Sequence, residues 1–167
     1  MQRSLILGGL VVVILAAIAV VAIADSGGGG LYGSSTRQAT TAEPAADASV
    51  AVADHGAGPI LVDGSGRTLY VWQADTGTQS TCTGACAQAS PRLATTASVR
   101  AGSGVNARLL GLSKRAGGSR QVTYAGHPLY RFAGDTAPGE RNGQGSSAFG
   151  AAWRVVAPTG AAITQAG

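Results

Sequence analysis

Leu69-Tyr70-Val71-Trp72-Gln73-Ala74-Asp75 returns sixty positions later as Leu129-Tyr130-Arg131-Phe132-Ala133-Gly134-Asp135. The offset runs without a gap from Val62/Val122 to Thr76/Thr136, and within it Gly66/Gly126, Leu69/Leu129, Tyr70/Tyr130 and Asp75/Asp135 are identical. Trp72/Phe132 keeps an aromatic ring. Side chains of an extended chain alternate, so Leu69 and Val71 share one face of a strand and Tyr70 and Trp72 the other. Asp75 and Asp135 fall just beyond their strands, where a carboxylate accepts hydrogen bonds from turn amides.

Working outward, Asp63-Gly64-Ser65-Gly66 is a turn signal between Ile60-Leu61-Val62 and the strand-like Arg67 to Trp72. This predicts a β-hairpin with a four-residue loop. Ala125-Gly126 turns Arg120–Tyr124 back into His127–Phe132, a second hairpin. Pro128 has no amide donor and belongs at the start or edge of its strand. Arg108 to Leu112 reads as a strand or one helical turn, Gly134 to Ser147 as a Gly-rich loop, and Ala151 to Val156 as a closing strand. The expected fold is all-β, a small barrel or sandwich built from two pseudo-repeated hairpin halves over residues 57–158. Tyr70, Trp72, Tyr124, Tyr130, Phe132 and Trp153, with Leu69, Leu129 and Val155, are its expected core. Residues 159–167, small and polar, read as a disordered tail.

Before that domain the chain changes character. Ser4 to Ala24 is an unbroken uncharged apolar run behind Arg3. It is long enough for a helix to cross about 30 Å of hydrocarbon, with Arg3 holding the N-terminus inside. Ala22-Ile23-Ala24 has the small-x-small form of a signal-peptide cleavage site, yet the run exceeds the about 7–15 residues of a cleavable core. Residues 1–24 therefore read as a transmembrane anchor or a signal peptide, with length favouring the anchor. Either way the remainder is exported. Residues 25–56, with four consecutive glycines at 27–30 and then Ser, Thr, Ala, Asp and Pro, read as a disordered linker.

The formal net charge is +4, spread over scattered arginines, and Lys114-Arg115 is the only adjacent basic pair. Nucleic-acid binding calls for a clustered basic face, so nucleic acid is not an expected partner. The membrane, through the N-terminal helix, and a cell-envelope polymer or protein are.

Cys82 and Cys86 are the only cysteines. Export favours a structural disulfide; a redox dithiol or part of a metal site is the alternative. Asp75 and Asp135 occupy equivalent places in their own copies, which suits turn anchors better than an acid/base couple. His127 reads as a surface residue in a tight turn. Asp135, Glu140 and Asn142 offer oxygens to Ca²⁺ but lack EF-hand spacing. No catalytic set, metal site or cofactor is expected.

Several strings together resemble one bacterial group: Val62 to Tyr70, Ser80-Thr81-Cys82-Thr83-Gly84-Ala85-Cys86, Gln121 to Asp135, and Pro138-Gly139. They are similar to the secreted-repeat lipoproteins defined by a Yx(F/W/Y)xxD motif, carried here by Tyr70, Trp72, Asp75 and Tyr130, Phe132, Asp135. The resemblance implies an exported, membrane-tethered β domain. Two departures stand out. No cysteine precedes Cys82, so a peptide anchor would replace the family's lipidated cysteine. Ser90-Pro91-Arg92-Leu93 also stands where members carry Trp-Pro-Pro-Leu, which implies looser packing. The expected function is a non-enzymatic binding or structural module of the cell envelope, held outside the membrane. The alternative is an extracytoplasmic redox or electron-transfer accessory using Cys82/Cys86 or a bound metal or haem.

Overall fold

The computed structural model describes residues 47–56 and 58–164. The expected anchor or signal (1–24), the linker as far as residue 46 and the end of the tail lie outside the described residues. Residues 159–164, expected within a disordered tail, are instead held: Ile163 N–H donates to Val155 O at 2.8 Å, and Ala162 packs against the core. Among the described residues no helix is long and apolar enough to cross a membrane.

The first strand, β1 (Ala48–Asp54), alternates small residues with Val50 and Val52. It is followed by β2 (Pro59–Asp63), β3 (Tyr70–Trp72), a five-residue helix α1 (Ala85–Ala89), β4 (Ala94–Thr95) and β5 (Val99–Ala101). Then come β6 (Leu110–Lys114), β7 (Arg120–Tyr124), β8 (His127–Pro128) and β9 (Trp153–Val155). The all-β expectation holds. The strands form three open sheets, β2-β1-β5, β3-β9, and β7 flanked by β4 and β6 with β8 also paired to it. No closed barrel forms among the described residues.

β1 corrects the expected domain boundary, since residues 48–54 were assigned to the linker. It pairs antiparallel with β2, Val52 opposite Leu61, and parallel with β5, Val50 opposite Ala101. Val50 is fully buried. The Ala/Ser/Val composition of the segment carries little strand propensity of its own; the neighbours on both sides satisfy its backbone and cover its valines. The segment Arg108 to Leu112 resolves into both options, a 3-10 turn at Ala107–Leu109 running into β6.

The two hairpins are not in the gapless register. In the first, Asp63 N–H donates to Arg67 O at 2.9 Å and Gly66 N–H to Asp63 O at 2.9 Å, with Gly66 at φ 79°. That is a three-residue loop of a type I turn closed by a left-handed glycine. In the second, Tyr124 pairs with His127 around Ala125 and Gly126, both at positive φ, a two-residue loop. One extra residue in the first loop shifts the preceding strand. Leu69 N–H bonds Leu61 O, and Leu129 N–H bonds Val122 O, so Leu61 rather than Val62 is the structural counterpart of Val122.

β3 separates two cores, as strand alternation requires. Leu69 and Val71, with Leu129, pack among Val50, Leu61, Leu93, Val122, Tyr124 and Val156. Tyr70 and Trp72, with Tyr130, pack among Ile60, Val62, Trp153, Val155 and the two cysteines. All the expected core residues are buried except Phe132, which is only partly covered. Trp72 stacks on Trp153 with ring centroids 5.5 Å apart, and Tyr130 meets Trp153 edge-on at 5.2 Å.

Because β1 covers one core and fills the centre of its sheet, a chain beginning at Thr41 should melt cooperatively in a circular-dichroism scan. A chain beginning at Gly58 should lose that transition. Retention of an unchanged transition without β1 would show that the strand contributes nothing.

Candidate functional site

The repeated motif forms a crossed pair. Tyr70 and Tyr130 face each other across an antiparallel bridge, each N–H donating to the other's carbonyl at 2.8 and 2.9 Å. Their side chains then reach past one another. Tyr70 Oη donates to Asp135 Oδ2 at 2.6 Å, and Tyr130 Oη donates to Asp75 Oδ2. Each tyrosine therefore finds the aspartate of the other copy.

The free oxygen of each carboxylate anchors its own loop. Asp75 Oδ1 accepts from Thr81 N at 2.7 Å and Thr81 Oγ1 at 2.9 Å. Asp135 Oδ1 accepts from Asn142 N at 2.9 Å. The turn-anchor reading of both aspartates thus describes half of their bonding. The tyrosine half is not legible in the sequence, because a sixty-residue offset says that two copies exist and not that they exchange partners.

Burial, then the hydrogen bond to a carboxylate, pushes both phenols above the usual tyrosine range: Tyr70 through Asp135, Tyr130 through Asp75. Tyr130 Oη also lies 2.5 Å from Ser80 Oγ. A phenol has one proton, so with Tyr130 donating to Asp75 the Ser80 hydroxyl supplies the second bond.

Cys82 and Cys86 form a disulfide, with both residues buried. It closes the loop that carries Thr83, and Cys86 N–H donates to Thr83 O at 3.1 Å. His127 lies exposed in its turn. The carboxylates of Asp135 and Glu140 are turned to internal donors, Asp135 to Tyr70 and Asn142, Glu140 to the backbone of Thr136 and Ala137.

A cleft of about 360 Å³ opens beside Ser80, lined by Gln79, Ser80, Thr83, Arg92, Lys114, Arg115 and Ala116. Three of these are cations and none is an acid. Arg115 Nη1 donates to Ser80 O at 2.9 Å, tying the β6 end to the loop after Asp75. Neither Arg92 nor Lys114 has an ion-pair partner among the described residues. In sequence the only trace of this site is the Lys114-Arg115 pair. Nothing in it brings residue 115 beside residue 80.

The sequence pattern of one protein family, described as a secreted repeat of unknown function, matches residues 51–91 and 111–157. Together these make up more than half of the chain. The chain belongs to this secreted-repeat family. No curated protein and no solved structure matches it.

Each matched segment contains one Tyr-x-aromatic-x-x-Asp run, so the crossed bonds join one family repeat to the other. The cleft also lies between them, with Gln79, Ser80 and Thr83 from the first segment and Lys114 to Ala116 from the second. The run Ser90 to Leu93, where looser packing is expected, is not loosely packed. Ser90 and Leu93 are buried, Leu93 N–H bonds Leu129 O, and Arg131 N–H bonds Pro91 O at 2.8 Å. Arg92 is left exposed and faces the cleft.

Replacing either tyrosine with phenylalanine removes the phenol donor from one oxygen of a buried carboxylate and should cost about 1.5–3 kcal/mol in denaturant titration, the range for bonds to charged groups. A double-mutant cycle of Tyr70→Phe with Asp135→Asn should show coupling, and one of Tyr70→Phe with Asp75→Asn a smaller effect.

The folded state holds both phenol protons more tightly than the unfolded chain, whose tyrosines titrate near pH ~10. Their contribution is therefore complete below that pH and is lost as pH rises through the higher folded values. Ultraviolet phenolate absorbance should show these two ionising only together with unfolding. Reducing the disulfide should lower stability by about 2 kcal/mol, the chain-entropy value for so short a loop.

Proposed function

We propose that the chain is a non-enzymatic binding or structural module of the cell envelope, held outside the membrane by its N-terminal apolar segment. The two hairpins are read as pseudo-symmetric halves of one small domain, with the linker holding it clear of the bilayer. Membership in a secreted-repeat family supports export. The observation that carries the rest is the crossed Tyr–Asp bonding. The residues that define the motif serve each other in the interior, so their bonding capacity is spent on joining the repeats. What remains open to a partner is loop surface, where binding residues of rigid scaffolds are usually carried. The burial of both cysteines suits a structural bond, since thiol exchange depends on access to the sulfur.

Two measurements test the reading. Protease added to intact cells should remove the domain while leaving an N-terminal fragment in the membrane fraction. Isolated envelopes should also retain the purified chain in a salt-sensitive manner. A domain protected in intact cells, or a chain that washes freely from envelopes at low salt, would sink the proposal. A titratable free thiol with visible absorbance would turn it toward electron transfer.

A further inference from the structure

Beyond this reading, and resting on it, we infer that the cleft lined by Ser80, Thr83, Arg92 and Lys114 binds a phosphate-bearing polyol unit of an anionic envelope polymer. The lining decides the charge. Arg92, Lys114 and Arg115 surround the space with no carboxylate among them. Asp75, the acid that anchors the loop carrying Ser80, is buried and engaged by Tyr130 and Thr81. Arg92 and Lys114 are exposed and hold no ion pair, so their charge is available to an incoming oxyanion.

The neutral lining decides what accompanies the charge. Gln79 and Thr83 supply an amide and a hydroxyl, groups that exchange hydrogen bonds with a polyol, while Ser80 Oγ, whose proton goes to Tyr130, keeps one acceptor site. The volume admits one phosphate with a small polyol rather than a folded partner. No lining side chain is more apolar than Ala116, so nothing here inserts among acyl chains as a membrane-surface site requires.

The site is also prearranged. Thr83 lies within the disulfide loop, Arg115 is fastened to Ser80 O, and Ser80 Oγ is fixed by Tyr130. The second copy has no counterpart. Sixty positions on from Ser80 stands Glu140, whose carboxylate caps the backbone of Thr136 and Ala137. The two repeats share the interior bond and diverge in the loops around it, and the cleft is built on the divergent part.

The test uses the full chain in neutral detergent, followed by amide chemical shifts. Glycerol 1-phosphate should move the signals of Ser80, Thr83, Arg92 and Lys114, glycerol should not, and added salt should reverse the change. Arg92→Gln and Lys114→Gln should each weaken glycerol 1-phosphate binding roughly tenfold, the low end for a charged hydrogen bond. Arg108→Gln, an exposed cation outside the cleft, should leave it unchanged.

Each of these outcomes overturns the inference: equal weakening by Arg108→Gln, undiminished binding by the Arg92→Gln/Lys114→Gln chain, or binding only to phosphatidylglycerol vesicles. The variants' melting curves establish that each is folded. If the double variant still sediments with envelopes as the wild type does, the cleft assignment falls and the envelope-module reading stands. If the wild type does not sediment, the broader reading falls by itself.

Discussion

Two phenol–carboxylate hydrogen bonds, each running from one repeat to the other, are the constraint on which this domain depends. Tyr70 and Tyr130 are almost wholly buried, and so are Asp75 and Asp135. A buried carboxylate without donors is costly, and the only phenol that reaches each aspartate belongs to the opposite copy. One repeat alone would bury a polar pair it cannot satisfy. The backbone bridge between Tyr70 and Tyr130 sets the two strands side by side, and the side chains complete the exchange.

From that constraint the remaining layers follow. With Tyr70 directed into one core, alternation sends Leu69 and Val71 into the other, so β3 is covered on both faces. Aliphatic residues fill one side. Aromatic rings and the disulfide fill the other, where Trp72 and Trp153 find carbonyl partners for their indole N–H groups at Ala151 and Ala148. Asp63 adds a second link between copies: it holds the first hairpin turn through Ser65 and Arg67 amides and accepts from Arg131 at 2.6 Å. The pair is half-sheltered, so its main effect is to fix the turn against the second strand rather than to add much net stability.

The same scaffold explains where the copies are free to differ. After each aspartate the chain leaves the sheet. In the first copy it becomes the Ser80–Cys86 loop, pinned by a disulfide and bordered by cations from the β6 end. In the second it becomes a Gly-rich loop closed by Glu140 and Asn142. Both loops hang from the second oxygen of their aspartate through backbone amides, so side chains other than Ser80, whose hydroxyl meets Tyr130, can vary without disturbing the interior bond. This is a physical basis for dividing the molecule into a shared frame and an individual surface.

Much of the frame was legible in the residues. The repeat, the strand direction of Leu69 to Trp72, the second hairpin turn and nearly every core aromatic followed from period-two alternation and turn chemistry, which are local properties. The first hairpin lies where the turn signal places it, but its loop has three residues rather than the expected four, because Asp63 pairs with Arg67, and a gapless alignment of the copies hides the one-residue difference from the second loop. Nothing local marks β1 as a strand, because Ala-Ser-Val-Ala-Val-Ala becomes one only between β2 and β5. Looser packing was expected at Ser90 to Leu93, yet the backbone there is bonded to the second repeat.

The sequence alone determined that two equivalent aromatic strands exist, that their carboxylates end them, and that the pattern is all-β. Only the tertiary structure decided that the tyrosines and aspartates trade partners, and that Ser80 and Thr83 meet Arg92, Lys114 and Arg115 around one cleft. Alternation and turns act over a few neighbouring residues, whereas those pairings join positions tens of residues apart and depend on how the two copies face each other.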